Sequence, residues 1–200
     1  MIKIGLSGVM GAGKSSVIQI LKEMGIPVFD CDAINRELLM KGNAGYRSLA
    51  AHFGSQILDE NQEIDKQVLS DRMFDHGERE QVEQILHPLI KEELLVRMNA
   101  CKQPLVVAEV PLLFEIGWQD VFDETWVVAC EEEILLRRLK EGRQIDKKEA
   151  LRRLSAQLSQ KEKIALCDVV LYNNFDRETL RKQVAAKIKS AGEKMDESRG

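Results

Sequence analysis

The chain has 200 residues, 44% of them hydrophobic and 31% charged, with a net charge of −4 at pH 7. That length and balance suit one globular domain with a substantial core, and they exclude a disordered or fibrous protein. No apolar run approaches the ~20 residues of a membrane span. Lys3 interrupts the first apolar stretch, so no secretory leader is expected and a cytoplasmic location is. The four cysteines (Cys31, Cys101, Cys130, Cys167) form no C-x-x-C pair, which speaks against zinc and redox chemistry.

The first predicted element is a strand over Ile2–Ser7. Behind it, Gly8-Val-Met-Gly-Ala-Gly-Lys-Ser15 spells the G-x-x-x-x-G-K-[ST] phosphate-binding loop, and a helical run, Ser16–Met24, follows. Glycines let backbone amides converge on a phosphate, and the helix N-terminus adds a partial positive charge. In such a loop Gly11, Ala12, Gly13, Lys14, Ser15 and Ser16 are the expected ATP-binding residues. Lys14 can reach the β- and γ-phosphates, and the Ser15 hydroxyl can ligate Mg²⁺ together with ATP phosphates.

Further strand-like runs lie at Pro27–Phe29, Leu105–Ala108, Thr125–Cys130 and Asp168–Tyr172. They lack polar alternation, as strands covered by helices on both faces do. The expected fold is α/β, of the P-loop NTPase type. It is a three-layer α/β/α sandwich on a five-stranded parallel sheet, with a helical substrate-binding insert and a helical lid. In such sheets ligands sit beyond the carboxyl ends of the strands. The phosphate loop, Asp30-Cys-Asp32, Glu109-Val-Pro111 and Asn173-Asn174 all follow such ends.

Asp30 and Asp32 stand at spacing two. On an extended chain their side chains share a direction, so both are expected to face the phosphates. One carboxylate could orient or deprotonate an acceptor hydroxyl while the other acts through a Mg²⁺-bound water. The competing reading makes Asp32 the N-cap of a helix from Ala33.

Residues 33–103 are too many for a plain crossover and read as mostly helical, over Ala33–Met40, Ala44–Phe53, Lys66–Asp75, Arg79–Leu86 and Leu89–Ala100. Pro88 is expected to open the last of these at its first position. The segment is expected to be a substrate insert in a nucleotide-binding core of residues 1–32 and 104–190.

Residues 137–153 carry eight bases against three acids. Helical periodicity puts Leu135, Leu136 and Leu139 on one face, and a second helix is expected over residues 146–158. Together, residues 137–160 read as a lid whose Arg138 and Arg143 could neutralise a transferring phosphoryl group. The basic cluster is compact and free of aromatic residues, so nucleic acid is not an expected partner. Asn173 could hold a nucleobase edge or cap a turn. Residues 191–200 are polar and expected to fray.

The chain resembles the dephospho-coenzyme A kinase family from about residue 2 to residue 188. The resemblance rests on Gly5–Ser15, Phe29-Asp-Cys-Asp32, Phe74 in the run Asp71–Asp75, Ile85-Leu-His-Pro-Leu-Ile90, Val110-Pro-Leu-Leu-Phe-Glu115, Arg138 with Gln157, and Cys167-Asp-Val-Val-Leu-Tyr-Asn-Asn174. It implies ATP and dephospho-CoA as substrates and phosphorylation of a ribose 3′-hydroxyl, the last step of coenzyme A synthesis. It implies Asp32 as the base, Lys14 and the loop as the ATP site, and Arg138 as a lid arginine. Asp30, His87 and Pro111, Leu112 and Leu113 fall on the acceptor side. A monomer or small homo-oligomer is expected. Val9, Met10 and Ala12 depart from the family's loop, and Gly142 stands where a second lid arginine aligns, with Arg143 one place later. The residues by themselves also leave open a kinase for another small acceptor, or a nucleotide-operated switch.

Overall fold

The computed structural model describes residues 1–74, 77–143 and 157–197, with side chains omitted at 74, 142–143 and 194–197. Two compact units emerge, Met1–Phe29 with Cys101–Gly200, and Asp30–Ala100.

The first unit is built on a five-stranded sheet in the order β2-β3-β1-β4-β5. The strands are β1 (Ile2–Ser7), β2 (Val28–Asp30), β3 (Leu105–Glu109), β4 (Glu124–Ala129) and β5 (Val169–Tyr172). β1 pairs in parallel with β3, Leu6 opposite Glu109, and with β4, Ser7 opposite Val127. β4 pairs in parallel with β5, Ala129 opposite Tyr172. β1 thus lies at the centre, and the phosphate loop springs from its carboxyl end.

The unit's helices are α1 (Lys14–Glu23), α6 (Glu132–Arg143), α7 (Gln160–Leu166) and α8 (Arg177–Glu197). Ile4, Leu6, Val17, Ile20, Leu21, Trp126, Val128, Leu139, Leu180 and Val184 form a core in which each is buried. Glu124 accepts from the Trp126 indole at 3.0 Å, so the largest core side chain keeps its polar atom paired. Asp168 accepts from both the amide and the hydroxyl of Thr125 at 2.7 Å, which fixes the start of β5 against β4. The expected fraying at residue 191 does not occur: α8 runs on to Glu197, and Ala191 is buried at 3% exposure. A small apolar side chain packed on the core holds a polar segment helical.

The second unit holds α2 (Cys31–Leu38), α3 (Ala44–Phe53), α4 (Lys66–Phe74) and α5 (Arg79–Ala100). α5 corrects an expectation, because Pro88 lies inside one continuous helix and does not open a second one. Val82, Leu86, Ile90, Leu94 and Met98 recur every four residues and are all buried, so the apolar stripe runs straight through. Pro88 removes one backbone hydrogen bond but faces solvent, and packing outweighs that loss. Arg97 joins α5 to α2, with Nη2 2.6 Å from Glu37 and Nε 2.7 Å from Glu93. Among the described residues, no helix is long and apolar enough to cross a membrane.

Candidate active site

The phosphate loop owes its shape to its glycines. Gly13 is the N-cap of α1 at φ 98°, ψ 33°, a left-handed conformation that an L side chain rarely adopts. The Asn173 amide fills the space that a Cβ on Gly13 would need. Gly8, at φ 147°, brings the loop so close to β4 that a Cβ there would meet the Val128 carbonyl at 2.6 Å. α1 has no acidic residue in its first turn and no side-chain cap. Its leading amides and partial positive charge therefore remain available to an anion.

Side chains from three elements close around the loop. Lys14 Nζ donates to the Gly8 carbonyl at 2.6 Å. Asn173, buried just past β5, donates through Nδ2 to the Ala12 carbonyl at 3.0 Å, while its own amide donates to Ala129 at 2.8 Å. Arg138 of α6 donates through Nη1 to the same Ala12 carbonyl at 3.3 Å. Its Nη2 lies 3.5 Å from Asn173 Oδ1. Burial pushes the Cys130 thiol up, and the neighbouring Arg138 guanidinium opposes that shift. Leu135 and Leu139, the buried face of α6, pack over Gly11.

Lys14, Arg138, Asn173 and the loop backbone are therefore brought together, as the sequence leads one to expect. Ala12 is buried, and Ser15 is exposed in the first turn of α1. Ser16 donates its amide to Gly13 at 3.0 Å. Arg143 ends α6. The second lid helix expected over 146–158 lies, apart from its last two residues, outside the described residues.

A second cluster of the same unit joins the expected Pro111-Leu-Leu113 to Lys163, a residue the sequence does not single out. Pro111-Leu-Leu113 follows β3, with Leu113 fully buried. The Pro111 carbonyl accepts from Ser7 Oγ at 3.0 Å and from Lys163 Nζ at 3.0 Å. Lys163 is fully buried and stands 2.8 Å from Glu115. The one signal for it was Glu115, a lone acid closing an apolar run. Lys163 itself was disguised, because α7 turns Leu166 outward and its lysine inward.

Asp30, Asp32 and His87 belong to the second unit. The helix that follows β2 begins at Cys31 and not at Ala33, so the shared direction argued from an extended chain does not hold. Asp30 is the N-cap: its Oδ1 accepts from the amides of Asp32 at 2.8 Å and Ala33 at 3.1 Å. Its other oxygen lies 3.6 Å from Arg36. Asp32 sits in the first turn of α2 with its side chain exposed. His87 is half-buried on α5, and burial holds its imidazole pKa below the usual value.

A family model described as dephospho-CoA kinase matches residues 2–179. The chain belongs to the dephospho-CoA kinase family. It is accordingly a kinase. The dephospho-CoA kinase of Geobacillus kaustophilus is 36% identical over 192 residues, covering 94% of this chain and 96% of that one. Among solved structures, a Thermus thermophilus protein aligns at TM-score 0.77 with 27% identity, over 94% of this chain and 96% of its own. A dephospho-CoA kinase from Campylobacter jejuni aligns at TM-score 0.69 over 94% and 95% of the two chains. At 21% identity it supports the fold alone.

Proposed function

We propose that the chain transfers the γ-phosphoryl group of ATP to the ribose 3′-hydroxyl of dephospho-CoA, giving coenzyme A and ADP. The observation that carries this reading is the family match over residues 2–179, joined to a phosphate loop whose lysine, capping glycine and flanking arginine all stand in one cluster. The other acceptors that the residues left open lose their footing against that match.

In this reading the loop amides and the N-terminus of α1 hold the β-phosphate, and Lys14 exchanges its bond to the Gly8 carbonyl for a phosphate oxygen. Arg138 bears on the charge that spreads over the transferring phosphoryl group. Asn173 keeps the loop in shape through Ala12. Asp32 receives the proton of the attacking hydroxyl as general base. Asp30 orients the segment by capping it. His87 and Pro111-Leu-Leu113 serve the acceptor side. The reaction is cytoplasmic.

Mg²⁺ fits the donor set: Ser15 offers an exposed hydroxyl in the first turn of α1, and no cluster of three His, Cys, Asp or Glu among the described residues competes for the ion. When bound beside the phosphates, the ion neutralises their charge. Hard oxygen ligands and retained waters are its preference, which one hydroxyl and ATP oxygens satisfy.

The test is ADP release measured with and without dephospho-CoA, with mass analysis of the acceptor product. Dephospho-CoA is expected to stimulate ADP release strongly and to gain one phosphate on the ribose. Slow ATP hydrolysis that ignores dephospho-CoA contradicts the proposal.

A further inference from the structure

Lys163 lies at 0% exposure, buried in a short helix that the proposed mechanism does not use. Its ammonium is compensated on three sides. Nζ donates to Glu115 Oε2 at 3.0 Å, stands 2.8 Å from Oε1, and donates to the Pro111 carbonyl at 3.0 Å. The Phe114 ring lies 5.9 Å from it.

The partners continue the network in two directions. The Pro111 carbonyl also accepts from Ser7 Oγ, and Ser7 is the fully buried residue immediately before the phosphate loop. Glu115 Oε1 accepts from the Leu158 amide at 3.0 Å. Two residues on, Gln160 brackets Cys130: its Nε2 donates to the Cys130 carbonyl at 2.8 Å and its Oε1 accepts from the Cys130 amide at 3.0 Å. Lys163 thus ties α7 to the turn after β3 through Glu115 and the Pro111 carbonyl, and that same carbonyl links the turn to Ser7 at the start of the phosphate loop.

A buried ion pair is a poor means of stabilising a fold, because apolar residues of the same volume do as well or better. What it provides is one defined geometry, since both charges must meet their partners or remain buried and unpaired. The geometry points to Lys163 as a positioning residue for the phosphoryl acceptor. By holding the Pro111 carbonyl against Ser7, it sets where Pro111-Leu-Leu113 stands relative to the phosphate loop. This inference rests on the proposed acceptor role of Pro111-Leu-Leu113.

Three variants test it. Lys163→Met removes the cation and keeps the apolar stem. It is expected to raise KM for dephospho-CoA by about tenfold while KM for ATP stays within about twofold, the size of losing one charge-assisted hydrogen bond. Lys163→Met with Glu115→Leu removes the unpaired carboxylate as well. That double variant is expected to regain the melting temperature yet keep the raised KM for dephospho-CoA. Recovery of KM together with melting temperature makes the pair merely structural and overturns the inference, as does an equal rise in both KM values. If Lys163→Met alone fails to fold, the double variant decides in the same way. Leu112→Ala separates the two readings. If it leaves KM for dephospho-CoA unchanged, the acceptor role falls and the inference with it. If it raises KM while the double variant does not, the inference falls and the acceptor role stands.

Discussion

The side-chain amide of Asn173 occupies the space that a Cβ on Gly13 would need, and the same amide donates to the Ala12 carbonyl at 3.0 Å. The residue that gives the loop its left-handed turn and the residue that holds the loop from outside are therefore one fitted pair. Two costs fall on Gly13→Ala, a clash with Asn173 and a strained φ, the latter about 1–3 kcal/mol. ATP affinity is expected to fall by about tenfold or more. In Gly13→Ala with Asn173→Ala the clash disappears and only the strain and one lost hydrogen bond remain. Calorimetric titration with ATP should show the double variant binding more tightly than Gly13→Ala alone. Strictly additive losses would mean the two residues are not coupled.

Arg138 makes a long bond of 3.3 Å to Ala12 and a marginal contact of 3.5 Å to Asn173. Such contacts contribute little to the resting loop, so the guanidinium is available for charge that develops during transfer. Arg138→Ala is expected to slow single-turnover phosphoryl transfer by about a hundredfold or more, whereas ATP affinity falls by about tenfold at most. Rapid-quench measurement alongside ATP titration compares the two. A loss of affinity larger than the loss of rate would reduce Arg138 to a loop prop.

His87 gives a pH signature. Burial is the main cause that holds its imidazole below the usual value of 6.5; Arg79 adds to the effect and Glu83 opposes it. A depressed base binds fewer protons folded than unfolded, so its contribution is fully present above about pH 6.5 and is lost as pH falls through that value toward the folded pKa. His87→Gln removes the titration. Melting temperatures between about pH 8 and pH 5 should converge, with wild type losing more stability on acidification than the variant. Parallel curves would mean that His87 is not desolvated in solution.

Much of this was readable in the chain. The strands declared themselves because helices cover both sheet faces, which leaves unbroken apolar runs such as Leu105–Ala108 and Thr125–Cys130 for pattern reading to find. The loop was readable because its glycines and Lys14 answer one need, a phosphate. The failures have physical causes. An extended reading of Asp30 and Asp32 fails because one caps a helix and the other lies in its first turn, a difference of two residues in where the helix begins. Pro88 reads as a helix start, although the four-residue apolar stripe of α5 passes through it. Lys163 was invisible because its burial depends on Glu115 and Pro111, far away in sequence.

Asp32 carries the central chemical claim: its exposed side chain lies in the first turn of α2, whose N-cap is Asp30. The most direct measurement is single-turnover phosphorylation of dephospho-CoA by Asp32→Asn, with ATP affinity and melting temperature taken on the same protein. The account predicts transfer slowed by about a hundredfold to ten-thousandfold, with ATP affinity and stability near those of wild type. Transfer at the wild-type rate would contradict it.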